Sequence, residues 1–147
     1  MSGRRGFTFI ELLVAMIVFS ILAGISLLRY KDLRNHAVAA AVAADLNNIR
    51  LAAYNHWADR ETWPADAAPG VVPPALVQYL PQGFNFTRPN YTLDWEGGGG
   101  AIQAGVVVTS ADPALMVVLG RRLGNNTPFF VIGATLTYVI VGPAGTT

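Results

Sequence analysis

Apolar residues run almost unbroken from Phe7 to Leu28, thin out, and then return at helical spacing, so the chain opens as one long helix in two halves. The first half, at 1.5 Å per residue, covers about 33 Å, enough to cross the hydrocarbon core of a bilayer. In the second half Val38, Val42, Leu46, Ile49, Ala53 and Trp57 recur three or four residues apart and predict one apolar stripe. Lys31, Asp32, Arg34, Asn35, Asp45, Asn47, Asn48 and Arg50 are assigned to the remaining, solvated surface. Alanines at 37, 39–41, 43, 44, 52 and 53 favour helix and let neighbouring elements approach closely. The helix is expected to end between Asp59 and Thr62, ahead of Pro64.

Pro64, Pro69, Gly70, Pro73, Pro74, Pro81 and Gly83 then punctuate an irregular segment from Thr62 to Pro89, with a short helical turn over Ala75 to Leu80. The last third alternates in the manner of strands. Tyr91–Glu96 and Gln103–Ser110 flank four glycines at 97–100, and Phe129–Ile132 and Leu136–Val141 are joined at Gly133-Ala134. Between the two pairs, Asp112-Pro113 has the pattern of an N-cap followed by Pro at the first helical position, predicting a helix through Arg122 that stops at Gly124. The fold class is therefore α+β, a long N-terminal helix packed by its striped half against a small antiparallel sheet.

Glu11 is the position that needs explaining, because it puts a carboxylate inside the first apolar half. A charge at the centre of a membrane helix costs roughly 2.5–3.5 kcal/mol on insertion scales, somewhat less one turn from its start. A plain anchor gains nothing from that penalty, so the acid implies a positively charged partner. A secretory signal peptide is opposed by Glu11 itself and by Arg29, Tyr30 and Lys31, which stand where a cleavage site needs small residues. A twin-arginine signal on Arg4-Arg5 lacks the same site. An unprocessed single-pass anchor leaves the acid unexplained.

The order Arg4-Arg5-Gly6-Phe7-Thr8-Phe9-Ile10-Glu11-Leu12-Leu13 resembles the leader of type IV prepilins. The resemblance implies cleavage between Gly6 and Phe7 by a prepilin peptidase and N-methylation of the new Phe7 terminus. Glu11 becomes the fifth residue of the mature chain, where the family's acid pairs with the amino terminus of a neighbouring subunit during filament assembly. Two opposite charges buried together cost less than either alone. Tyr30 matches a Tyr common in the family, whereas its frequent Pro is Leu28 here, which puts a kink there in question. The likeness covers about a fifth of the chain and gives the fold class a pilin-like form. It divides the sequence into a leader (1–6), a transmembrane and filament-core helix (7–28), its amphipathic continuation (29–61) and a small β-rich periplasmic domain (62–147).

Composition fits that division. The chain has 147 residues, 52% hydrophobic and 13% charged, which leaves room for one anchored helix and one small domain. Loss of Arg4 and Arg5 with the leader turns 10 basic against 9 acidic side chains into 8 against 9, too balanced for a nucleic-acid partner. With no cysteine, packing alone holds the domain. The positive-inside comparison of Arg4 and Arg5 with Arg29, Lys31 and Arg34 is close to a tie, so the inner-membrane orientation with a periplasmic C-terminal domain comes from the resemblance.

No catalytic constellation emerges, and neither cofactor nor metal is expected. His36 and His56 have no ligand-type companions at metal spacing, and the glycine run lacks the Lys-Ser/Thr of a phosphate loop. The disulfide that commonly closes type IV pilus major subunits cannot form here. The C-terminal calcium loop of major pseudopilins finds only Asp112 after Glu96, unless Asp94 and Glu96 contribute. The reading is a pseudopilin or minor pilin of a type II secretion machine, not an enzyme. Its partners are the prepilin peptidase, other pilin or pseudopilin subunits in a homo- or heteropolymer, and an inner-membrane assembly platform. A minor pilin of an adhesion or DNA-uptake pilus is the alternative, followed by a membrane-tethered periplasmic binding domain that never polymerises.

Overall fold

The computed structural model describes residues 7–98, 102–125 and 127–142, with Leu28 described by its backbone alone. Helix α1 runs from Phe9 to Arg60, followed by strands β1 (Thr92–Gly97) and β2 (Ala104–Thr109), helix α2 (Pro113–Leu123), and strands β3 (Phe129–Ile132) and β4 (Thr135–Val141). This is the expected α+β, pilin-like architecture, a long N-terminal helix and a four-stranded antiparallel sheet. The chain divides into two compact units, residues 1–34 and 35–147.

In the first unit every described side chain is exposed, and the helix is long and apolar enough to cross a membrane by length and composition. Ser20 and Ser26 donate back to the carbonyls of Met16 and Leu22, both at 2.8 Å, so neither hydroxyl is left unpaired in an apolar setting. Helix α1 passes through Leu28 unbroken, as expected of a chain without Pro there.

In the second unit the sheet order is β1-β2-β4-β3, antiparallel throughout. Strand alternation puts Leu93 and Trp95, Val106 and Val108, and Leu136 and Tyr138 on one face. They share one core with Val42, Leu46, Ile49 and Ala53 of α1 and with Leu115, Met116 and Leu119 of α2. The stripe therefore holds, with one correction. Trp57 is 45% exposed and stacks on Trp63 instead, while the buried residue of that turn is His56. The reason is the helical period. Eighteen residues make five whole turns, so His56 falls on the face of Val38, whereas Trp57 is rotated a further 100°. Asp45, assigned above to the solvated surface, is also buried.

Strand and helix limits agree with the sequence patterns to within a residue or so. Asp112 caps α2 by accepting from the Ala114 N–H at 3.0 Å, and its other carboxylate oxygen accepts from the Asn35 carboxamide of α1 at 3.1 Å. The segment between α1 and β1 is irregular but pinned to the β1 edge. The Gly70 N–H donates to the Leu93 carbonyl, the Leu93 N–H to the Phe86 carbonyl, both at 2.8 Å, and the Trp95 indole to the Pro64 carbonyl at 3.1 Å. Gly70 has φ +79° and sits so close to Thr87 that a Cβ would lie 2.6 Å from its hydroxyl oxygen, so only glycine suits both the turn and the approach.

Candidate processing and assembly site

Of the residues the sequence singles out, Gly6 and the rest of the leader lie outside the described residues. Phe7 is exposed and precedes the helix, and Glu11 lies in the first turn of α1. The Thr8 carbonyl accepts the N–H groups of Glu11 and Leu12 at 3.1 and 3.3 Å, which makes Thr8 the cap residue. The Thr8 N–H points back at the Glu11 carboxylate, 3.4 Å away. Thr8 and Glu11 thus stand in the positions of a capping box, three residues apart, with the Glu half of the exchange made at long range. The carboxylate also faces the positive end of the helix, where a negative charge is favoured by about 0.3–1 kcal/mol. This local role was readable in the Thr-x-x-Glu spacing but masked by the larger question of charge in lipid. A cap of this size is smaller than the roughly 2.5–3.5 kcal/mol that a charge costs at the centre of a membrane helix.

Two carboxylates in the second unit carry unusual environments. Asp45 receives the Arg88 Nε and Nη2 at 3.1 and 3.2 Å and the Tyr91 hydroxyl at 2.7 Å. Burial, and then Asp45 itself, push the Tyr91 hydroxyl well above its ordinary pKa. Sequence spacing held the signal, since Asp45 lies seven residues after Val38 and so within 20° of the stripe. The partners, more than forty residues away, are set by the loop.

Asp94 is raised from 3.8 to about 6, chiefly by burial and then by Glu96 and Asp66. Its Oδ1 is buried without a hydrogen-bond partner. These acids form no group that could hold a metal ion among the described residues. Because its folded-state pKa is raised, the stability Asp94 contributes is present below pH 4 and lost as pH rises through about 6. Asp94→Asn is therefore expected to stabilise the protein at pH 7 by about 1 kcal/mol, discounted for water reaching the carboxylate, and to change little at pH 3.5. Urea unfolding at the two pH values measures this, and an equal effect at both would sink the assignment.

His36 is exposed, and His56 is a packed residue whose Nδ1 lies 2.9 Å from the Thr62 carbonyl oxygen. Residues 1–27 match the family described as the prokaryotic N-terminal methylation motif. That motif is the type IV pilin and pseudopilin signal, so the chain carries the signal its first thirty residues resemble. No curated protein and no solved structure matches the chain.

Proposed function

We propose that this chain, bearing the N-terminal methylation motif of type IV pilins and pseudopilins, is a structural subunit of a type II secretion pseudopilus. The precursor sits in the inner membrane with its C-terminal domain in the periplasm. The prepilin peptidase cuts between Gly6 and Phe7 and methylates Phe7. The subunit is then drawn from the bilayer into a helical polymer. The observation that carries this reading is the motif itself, a Gly-Phe junction with Glu11 five residues on, leading into a helix long and apolar enough for a membrane.

Each part has a physical task in that reading. The apolar face of α1 passes from lipid to neighbouring helices without exposing new surface to water. Glu11 takes the Phe7 amino group of the next subunit as its counter-charge, and the pairing fixes axial register because both charges must be matched at one height. The absence of cysteine favours a pseudopilin or minor subunit over a disulfide-closed pilus major subunit. A minor pilin of an adhesion or DNA-uptake pilus uses the same machinery, and its choice rests on the operating system rather than on this chain's chemistry.

The mature amino terminus tests the reading. Mass spectrometry of the protein from cells with and without their prepilin peptidase is expected to show N-methyl-Phe7 only when the peptidase is present. An intact Met1 would mean a plain anchor, and a cut near Ala39, at the small-residue triplet Ala37-Val38-Ala39 beyond Arg29 and Lys31, would mean an export signal.

A further inference from the structure

A cavity of about 470 Å³ opens at the C-terminal end of α1, lined by His56, Arg60, Thr62, Ala75 and Gln78. His56 and Arg60 are one helical turn apart and share a face of α1. His56 is only 8% exposed. Its Nδ1 lies 2.9 Å from the Thr62 carbonyl, and a carbonyl can only accept, so Nδ1 carries the proton and Nε2 is the ring atom left to the cavity. The Tyr79 ring stands edge-on to the imidazole with centroids 5.9 Å apart and fixes its plane. No hydrogen bond or ion pair among the described residues takes up the Arg60 guanidinium. The adjacent carboxylate, Asp59, is occupied by the Tyr79 hydroxyl at 2.7 Å. The wall thus presents one permanent cation, an imidazole, a hydroxyl and a carboxamide, with no carboxylate among its five residues.

The geometry points to a binding site for a carboxylate carried on a peptide, held by Arg60 with the Thr62 hydroxyl as a neutral donor, while the Gln78 carboxamide already donates to the Tyr79 hydroxyl. A guanidinium matches a carboxylate with two parallel N–H donors. A phosphate dianion fits less well, because one fixed positive charge cannot balance it beside the negative end of α1. The cavity is also far larger than a lone carboxylate and falls in the size range of ligand sites, so the group arrives on a larger molecule. A basic residue in the last turn of a helix also serves the helix dipole, but that role needs neither a cavity nor a plane-locked histidine. The site stands whether or not the subunit polymerises.

The test is an NMR titration of the full-length, isotope-labelled chain in detergent micelles, following the Arg60 Nε–H and the His56 ring. Three blocked peptides serve as probes: acetyl-Ala-Glu-Ala-amide, acetyl-Ala-Gln-Ala-amide, and acetyl-Ala-Gln-Ala with a free C-terminal carboxylate. Saturable movement of both signals with one or both acidic peptides, and none with the neutral one, is expected. The acidic peptide that binds reports whether a side chain or a chain end is the source. Arg60 is exposed, so Arg60→Gln leaves the fold intact and is expected to weaken binding by about tenfold or more. Equal response to the neutral peptide, or an unchanged titration of Arg60→Gln, would overturn the site.

Discussion

Glu11→Gln is expected to reach the membrane and be cleaved as well as the wild type, yet to lose filament assembly by at least about a hundredfold. The charge, rather than the side chain's shape, is the reason. Glutamine keeps an acceptor for the Thr8 N–H and so preserves the capping box. It also removes the insertion penalty of a carboxylate, so membrane integration should be unchanged or improved. What it cannot do, in the filament proposed above, is neutralise the amino group of the next subunit's Phe7. Leaving one member of a buried ion pair alone costs about 3–5 kcal/mol at each subunit contact, a factor of a hundred or more in affinity. Glu11→Ala loses both the cap and the charge. The pair of variants therefore separates the two roles. Membrane fractionation reports insertion, and recovery of sheared filaments reports assembly. If the glutamine variant assembles like wild type while the alanine variant fails, the capping box is the role of Glu11 and the register pairing is wrong.

Asp45→Ala is expected to cost the folded domain about 3 kcal/mol, the lower end of the range for breaking a buried pair because Arg88 is about one-third exposed. The alanine leaves the buried Tyr91 hydroxyl and the partly exposed Arg88 guanidinium without the acceptor they share. For a domain of this size the loss corresponds to about 10–20 °C in Tm. Asp45→Asn still accepts from Tyr91 and should cost about half as much. The double variant Asp45→Leu/Arg88→Met replaces the pair by apolar volume and should recover most of the loss. Thermal unfolding followed by near-UV circular dichroism in micelles checks all three. A single alanine variant within about 0.5 kcal/mol of wild type would show that the network holds nothing together. The same network explains how an irregular segment stays in place, because it anchors the turn between Arg88 and Tyr91 to α1 just before the chain enters β1.

The boundary between what was legible in sequence and what was not follows the range of the interactions. Helix α2 could be read because its start signal is local, Asp112 capping the N–H two residues on, with Pro113 behind it. The hairpin of β3 and β4 was legible for the same reason, since its alternation and its Gly133-Ala134 turn lie in one contiguous stretch from Phe129 to Val141. The motif around Glu11 is likewise contiguous, and even its capping box is a three-residue relation.

Helical phase was the first limit. A stripe of mostly four-residue steps drifts around the helix, so spacing predicts Trp57 inward and Asp45 outward, whereas in the fold Trp57 is exposed and Asp45 buried. Folding resolved this by burying Asp45 under Arg88 and Tyr91, residues that only the loop could bring there. The sheet order β1-β2-β4-β3, which sends β4 back between β2 and β3, is also a tertiary choice, because α2 intervenes and no local rule selects the neighbour. Nor could spacing along the chain bring Gln78 and Arg60 to one cavity, or set the His56 ring edge-on to Tyr79. Sequence by itself determined the long helix, the strands, the charge in the apolar segment and the N-terminal methylation signal around it. Tertiary structure alone decided which polar groups are buried and what they meet, because a buried charge must be matched by partners from elsewhere in the chain and their meeting depends on the whole fold.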